Sequence, residues 1–489
     1  MKIQPPNNAV KPMHYFLAAG ASLLSGLCWY LGNGLSGEYW YLVWFAPVFS
    51  LITTYYFSPK VSFWLAFGSY FLGRLSWFAY LHTVVSFLPA IAITLALPYV
   101  YARIVVKSGN VVLTNNSWLT VFAYPVLWTA FEYLLFLLSP DGSATSLAYS
   151  QAGVLPLIQV ASLTGISGIT FLISLAPSLI AVCWFTFERK RKWFTALTVL
   201  AAVLFAFSFV FGSYRINHRS VSEERSIKTG LVAMQRRLHY NSEQKTISQI
   251  KSVTETYARE ISKLAGIGAK VVLLPETVIQ LTKQNEQSVI SVFSKTAKEN
   301  RIYIIAGFTN YLQAQARNSA LIFDSNGNIA NRYDKVHLVA GHERQFAPGS
   351  KPGTFQIGSL NAGIAICKDL DFPRYIREYG KEKIDLLFVP AYDFVVDDWM
   401  HSRMAILRGV ENGFAIIRTA RDGRLTISNY LGEALFERDN SSGEKTNLLG
   451  TVSSFHKETL FSIAGDWLGA VSLIIVLIYA FRNSKSVGK

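Results

Sequence analysis

Cysteine is scarce in this chain, with three in 489 residues. Cys28 and Cys183 fall inside long apolar runs, which leaves Cys367 as the only cysteine of the polar part of the sequence. An internal disulfide is excluded there, and Cys367 is expected to be a free thiol. Acidic residues are also few, 31 against 46 Lys and Arg, for a formal net charge of +15. Such an excess could suit nucleic acid, but part of it lies in short loops beside apolar runs, where basic residues mark the cytoplasmic side of a membrane. Nucleic-acid binding is therefore not expected, and a basic domain beside a bilayer would sooner meet anionic headgroups. His342 and His401 are too scattered for a metal site, and His337 reads as a structural or hydrogen-bonding residue. Internal repeats and low-complexity tracts are lacking.

Apolar residues, in contrast, are abundant and unevenly placed. They make up 51% of the chain, and the mean hydropathy is +0.28, which argues against a purely soluble enzyme. Runs close to the length that crosses a ~30 Å hydrocarbon core occur at Tyr15–Leu31, Tyr39–Phe57, Val61–Leu81, Val84–Val106, Trp118–Leu138, Leu163–Phe187, Trp193–Ser213 and Phe461–Phe481. Three parts are expected: a membrane domain of about seven helices over residues 1–213, a soluble domain over 214–460, and a C-terminal transmembrane helix with its tail over 461–489. The first run is rich in aromatics and lacks a small-residue cleavage site, so it does not read as a removable signal peptide. Lys2, Lys11, Lys60, Arg103, Lys107, the cluster Arg189-Lys190-Arg191-Lys192, and Arg482, Lys485 and Lys489 fall on one side; the opposite loops carry no Lys or Arg. The expected orientation has both termini cytoplasmic and the soluble domain outside.

From Ser226 onward, short aliphatic runs alternate with amphipathic stretches. Strands are expected at Lys228–Met234, Lys270–Leu274, Tyr303–Phe308, Asn318–Phe323, Gly363–Cys367, Asp385–Val389 and Phe414–Thr419. Helices are expected at Gln244–Gly266, Glu286–Glu299 and Trp399–Asn412, and a hairpin signal lies at Asp324-Ser325-Asn326-Gly327-Asn328. This pattern argues for a layered α/β domain. Cys367 closes the apolar run Ala362–Ile366 and precedes the polar segment Lys368-Asp369-Leu370-Asp371, a strand end where α/β enzymes place nucleophiles. Two other strand ends supply what a thiol lacks: Leu273-Leu274-Pro275-Glu276 a carboxylate, and Tyr333-Asp334-Lys335 an ammonium. A Glu276, Lys335, Cys367 triad is the expected site. A lone cysteine at a strand end is more often a small core residue; the two companion motifs reverse that balance.

Leu274-Pro275-Glu276-Thr277, Tyr333-Asp334-Lys335 and Ile366-Cys367-Lys368-Asp369 resemble, in order, the three signatures of the carbon–nitrogen hydrolase (nitrilase) superfamily. The membrane portion narrows the resemblance to the apolipoprotein N-acyltransferase family, through Pro125-Val126-Leu127-Trp128 with Glu132, and Pro156-Leu157-Ile158-Gln159 leading to Gly165 and Gly168. Lys335-Val336-His337-Leu338-Val339 followed by Glu343, and the helix Arg403–Gly413, are similar to further segments of that family. Where the family has Tyr-Glu after the cysteine, this chain has Lys368-Asp369.

The resemblance implies a polytopic α-helical membrane domain, a nitrilase-like α-β-β-α sandwich and one C-terminal transmembrane helix. It implies an acyl chain taken from a membrane phospholipid by Cys367 as a thioester, then passed to the α-amine of a diacylglyceryl-cysteine on a lipoprotein. Glu276 would move the proton, Lys335 would stabilise thiolate and oxyanion, Glu343 would orient Lys335 or share the proton work, and Asp369 would support the nucleophile. No cofactor or metal is implied, a monomer is expected, and the location is the bacterial inner membrane with the catalytic domain on the periplasmic side. The alternative is a membrane-tethered amidase, or an acyltransferase with a different acceptor. Arg74 and Glu132 stand in apolar runs, where charge is costly and usually functional unless it reaches an interface. Tyr392, Phe394 and Trp399 could line an acyl pocket, although aromatic clusters are more often packing.

Overall fold

A computed structural model of the chain describes residues 12–115, 117–188, 193–219, 225–236 and 246–487. The chain separates into two compact units. One comprises Met1–Ser139, Thr145–Ile216 and Asp466–Lys489; the other comprises Pro140–Ala144 and Asn217–Gly465.

The first unit is helical. Among the described residues, five helices are long and apolar enough to cross a membrane: Met13–Gly32, Phe87–Thr114, Trp118–Leu138, Ile166–Phe187 and Thr195–Asn217. The runs Tyr39–Phe57 and Val61–Leu81, expected as spans, are broken. The first becomes a 3₁₀ turn at Trp40–Trp44 and an 11-residue helix, Ala46–Tyr56, with Pro47 in its first turn. Proline lacks the N–H that a helix interior requires but fits where that group is unpaired anyway, so the helix restarts there. The second run yields a 16-residue helix, Pro59–Arg74, a 3₁₀ turn and the short helix Phe78–Val84. Gly465, at φ +72, separates the short helix Leu460–Ala464 from the helix Trp467–Val487, so the last apolar helix starts later than expected. The basic cluster at 189–192, with Lys2, Lys11 and Lys489, lies outside the described residues.

The second unit holds two sheets. The first contains β1 (Ser226–Ala233), β2 (Val271–Leu273), β3 (Ile279–Leu281), β4 (Tyr303–Asn310), β5 (Arg317–Phe323) and β6 (Ile329–Asp334). The second contains β7 (Gly353–Ile357), β8 (Leu360–Ile364), β9 (Leu386–Tyr392), β10 (Ala415–Arg421), β11 (Arg424–Ser428) and β12 (Ala434–Asp439). The final strand, β13 (Thr446–Ser453), returns to the first sheet beside β1. The orders are β13-β1-β2-β4-β5-β6, with β3 also on β4, and β12-β11-β10-β9-β8-β7. Parallel pairing in β1-β2-β4 and β8-β9-β10 requires crossovers. The helices Ile247–Gly266, Glu286–Asn300, Pro373–Lys381 and Asp398–Asn412 lie within those connections.

Side-chain alternation sets the layers. Leu231, Ile305 and Ile322 of one sheet pack with Ile364, Phe388 and Ile417 of the other. Their neighbours Val232, Ile304 and Phe308 point the opposite way, onto Tyr257, Ile261 and Phe293 of two helices. Leu387, Val389 and Ile416 pack on Ile376, Tyr379 and Ala405 of the other two. The result is helix, sheet, sheet, helix. Each fully buried Leu, Ile or Phe stabilises this arrangement by about 1.5–3 kcal/mol. Helix Ile247–Gly266 opens with a capping box between Thr246 and Gln249 and buries Ile250, Val253, Tyr257, Ile261 and Leu264 on one stripe. The expected start of this helix, at Gln244, falls outside the described residues.

Candidate active site

The expected strand ending at Cys367 stops three residues sooner, at Ile364. Cys367 instead opens a one-turn 3₁₀ helix, Cys367–Asp371. Its φ is +44, a left-handed conformation that costs a non-glycine residue about 1–3 kcal/mol and persists only where the surroundings enforce it. Asp369 supplies part of that enforcement. Its fully buried carboxylate accepts from Tyr333 OH at 2.6 Å, Ile366 N at 3.0 Å, Val336 N at 3.2 Å and His337 N at 2.8 Å. His337 Nδ1 lies 3.0 Å from the same carboxylate, and its ring stacks on Phe372. Asp369 thus fixes the turn, and its oxygens are committed to doing so.

Glu276 lies just beyond β2, in a bend where Thr277 has φ +50. β4 passes beneath that bend at Gly307, where a Cβ would fall 2.4 Å from Pro275 O and 2.8 Å from Glu276 Cα; only glycine permits the approach. Lys335 follows β6 and is held by its backbone, which donates to Asn318 O at 2.8 Å and accepts from Gly349 N at 2.8 Å. The two side chains meet. Lys335 Nζ is 2.8 Å from Glu276 Oε1 and 2.9 Å from Glu343 Oε2, and the three groups are almost fully buried. Val339 N donates to Glu343 Oε2 at 2.7 Å.

Asn318, which motif reading missed, links the two carboxylates: its Nδ2 donates to Glu276 Oε1 at 2.5 Å and to Glu343 Oε1 at 2.6 Å. One asparagine in a strand leaves no signal in the sequence. Glu276 Oε2 is buried with no hydrogen-bond partner among the described residues.

Burial pushes the Glu276 carboxyl above its ordinary range, against the pull of Lys335, and Glu343 adds to the rise. Burial works against the Lys335 ammonium, yet Glu276 and Glu343 raise it well above the usual lysine value. Cys367 is pushed well above an ordinary thiol by burial first and then by Glu276, while Lys335 and Arg418 pull it down. The resting state therefore has a charged lysine and a neutral thiol, beside a Glu276 carboxyl of raised basicity. Cys367 Sγ donates to Tyr392 O at 3.5 Å.

Beyond Cys367 lies a second group of charges. Arg418, inside the apolar strand β10, pairs with Asp393, with Nη1 to Oδ2 at 3.0 Å. Both are buried and both act on the Cys367 thiol. An arginine after Phe414-Ala415-Ile416-Ile417 was the legible sign of this pair. Asp397 sits 3.0 Å from His401 Nε2; burial alone would lower the imidazole, but Asp397 pushes it up to about 9. Tyr392 carries the Arg421 guanidinium 3.8 Å above its ring, and Phe394 packs near His342. Trp399 meets Arg403. Among the described residues, no three His, Cys, Asp or Glu side chains are grouped as a metal ion would need.

A two-sheet sandwich with a buried Glu-Lys pair and a cysteine on a strained turn defines a carbon–nitrogen hydrolase domain. Residues 228–446 match the carbon–nitrogen hydrolase family model, and residues 25–179 match that of the apolipoprotein N-acyltransferase N-terminal domain. Apolipoprotein N-acyltransferase of Geobacter metallireducens is 25% identical over 401 residues, 74% of each chain. That of Haemophilus ducreyi is 23% identical over 411 residues, 76% of each. The 2-oxoglutaramate amidase of Bacillus subtilis is 28% identical over 181 residues, 34% of this chain and 69% of its own. The two family models lie side by side along this chain, and it is similar to apolipoprotein N-acyltransferases over about three quarters of its length.

Proposed function

We propose that this chain N-acylates lipoproteins through a thioester on Cys367. The donor is a membrane phospholipid, and the acceptor is the α-amine of a diacylglyceryl-cysteine at a lipoprotein N-terminus. The observation that carries the reading is the buried Lys335 held between Glu276 and Glu343, with Glu276 Oε2 without a partner among the described residues and the Cys367 thiol within their field.

In the first half-reaction Glu276 takes the thiol proton as Cys367 Sγ attacks the ester carbonyl. Lys335 donates a hydrogen bond to the oxyanion and stays charged, because Glu343 and the oxyanion keep negative charge beside it while Glu276 carries the thiol proton. The C–O bond then breaks, and Glu276 returns the proton to the departing lysophospholipid alkoxide. In the second half-reaction the amine attacks the thioester and Glu276 removes its proton. The C–S bond breaks, and the proton passes to the thiolate, leaving an amide and the original thiol. The neutral resting thiol suits this cycle, since deprotonation coincides with attack. Glu343 and Asn318 orient Lys335 and Glu276, and Asp369 shapes the turn without touching the reacting atoms.

We place the catalytic unit on the outer face of the cytoplasmic membrane. The support is the uneven distribution of Lys60, Arg103 and Lys107 along the apolar part of the sequence. Anchoring both lipid substrates and the thiol to one bilayer raises their effective concentrations. The amidase alternative is not favoured: the 2-oxoglutaramate amidase of B. subtilis matches only 34% of this chain, whereas the acyltransferase relatives match its apolar helices as well.

Intact mass spectrometry tests the reading. Wild-type protein incubated with phosphatidylethanolamine should gain one hydroxylamine-sensitive acyl group that Cys367→Ala cannot gain. A diacylated lipopeptide should discharge it and become triacylated. An adduct that the lipopeptide leaves in place would make the nucleophile right and the acceptor wrong; absence of the adduct in a folded preparation would sink the proposal.

A further inference from the structure

The turn that carries Cys367 is tied on two sides. Asp369 secures one side through Tyr333 and three backbone N–H groups. On the other side stands Lys368, whose side chain is 7% exposed and whose ammonium pairs with Asp141 and lies 3.8 Å from Asp371 Oδ2. Asp141 belongs to the short segment Pro140–Ala144, which is part of the same compact unit as the turn although its sequence neighbours on both sides are not.

That segment is laid directly on the turn. Ser143 donates to Asp371 O twice, from its backbone N at 2.8 Å and from Oγ at 2.7 Å. Arg408 Nη2 donates to Ser143 Oγ at 3.2 Å. Gly142 has φ +49, and a Cβ there would stand 2.4 Å from Asp371 O, so this approach is open to glycine alone. Apart from the Arg408 bond, these contacts end on Lys368 or Asp371, residues that continue the turn from Cys367.

We infer that Lys368 is a positioning residue for acyl transfer: with Asp141 it clamps the segment Pro140–Ala144 onto the turn and so keeps Cys367 in its left-handed conformation. The argument is mechanical. A strained residue relaxes unless its neighbours hold it, and the bonds of Asp369 restrain only one side of a single helical turn. Removing the lysine charge also leaves Asp371 buried with its nearest cation gone, so the strap and the turn lose their common anchor. The inference rests on Cys367 being the nucleophile proposed above.

The test compares full-length wild type, Lys368→Met, Asp141→Asn and the double variant in phosphatidylethanolamine nanodiscs, following acylation of Cys367 by intact mass at several donor concentrations. Each single variant is expected to lower the maximal acylation rate by about 10- to 100-fold, as a slight misplacement of a reacting group does, with the KM for donor unchanged. The double variant should be no slower than the slower single one, because both changes break the same pair. Asp141 is 37% exposed, so Asp141→Asn keeps the test valid should Lys368→Met fail to fold. Wild-type rates in Asp141→Asn, losses that multiply in the double variant, or a loss wholly in KM would each overturn the clamp. If wild type itself gains no adduct, the nucleophile falls and the clamp with it; if wild type is acylated and the variants match it, only the clamp falls.

Discussion

Two buried glutamates, one in each unit, show how burial serves opposite ends. Glu132, in the helical unit, is 4% exposed and fully satisfied. Its Oε1 accepts from Trp128 Nε1 at 3.1 Å and Leu147 N at 3.0 Å, and its Oε2 from Ser146 and Thr170 hydroxyls, each at 2.8 Å. Glu276, in the hydrolase unit, is 3% exposed. Its Oε1 takes both Lys335 and Asn318, and its Oε2 has no partner among the described residues. A carboxylate with four donors spread over both oxygens ties segments together and has no capacity left for chemistry. One held on a single oxygen, beside a cation, keeps the other for a proton.

The largest effect should come from Glu276→Gln, which keeps the shape and removes the base. Thioester formation is expected to fall about 10²- to 10⁴-fold, the range of a lost general base, as read by the rate of adduct growth. A rate near wild type would end the contrast drawn above. Lys335→Met leaves Glu276 and Glu343 buried without their shared cation; an unfolding cost of about 3–5 kcal/mol should appear in thermal or denaturant unfolding in detergent, together with loss of acylation.

His401 sharpens the comparison through pH, since paired charges of this kind belong to the hydrolase unit. Its pKa, raised to about 9 by Asp397, makes a contribution that is complete below the unfolded value of about 6.5 and is lost as pH rises through 9. Up to about 3 kcal/mol is at stake. Unfolding midpoints should therefore decline between pH 6.5 and 9 in wild type and stay flatter in His401→Asn; parallel curves would remove the ion pair from the account. The smallest effect is expected from Glu132→Gln. Its amide oxygen still accepts from Trp128 and Leu147, and the two hydroxyls can turn to accept from its NH₂ group, so a loss of about 1–2 kcal/mol in stability with acylation retained is expected. Lost acylation at intact stability would make Glu132 a participant and break the comparison from its other side.

Arg74 shows how far such readings reach. It is 1% exposed in an apolar helix, with its guanidinium 4.5 Å over the Trp77 ring. It is thus buried within the unit.

Chemistry-bearing residues were legible where each stands at the end of an apolar strand followed by polar residues. Cys367 meets that description, and Glu276 follows the apolar run Val271–Leu274; Lys335 follows the mixed strand Ile329–Asp334 and was legible only through its motif, with Glu343 at short range after it. Asn318 was not legible, because a polar residue in a half-polar strand has many uses and only its partners select one. β11, β12 and β13 were also missed: Arg424–Ser428 and Ala434–Asp439 mix charged with apolar residues and are strands through their pairing with each other and with β10, while β13 depends on pairing with the distant β1. The apolar runs revealed where helices lie but not where they break, since Pro47 and Gly465 read as minor interruptions until the backbone is seen to restart at them.

By itself the sequence determined composition, periodicity and order: an apolar helical portion, an α/β portion, and three motifs whose residue types suit thiol chemistry. These properties are local, set by side-chain transfer energies and by repeats of 2 and 3.6 residues. Tertiary structure alone decided that Lys335 closes on two carboxylates, that Asn318 bridges them, that Cys367 adopts a positive φ, and that residues 140–144 lie on its turn. Each of those depends on backbone segments far apart in sequence meeting within hydrogen-bond distance, where burial makes a bond decisive and an unpaired charge costly.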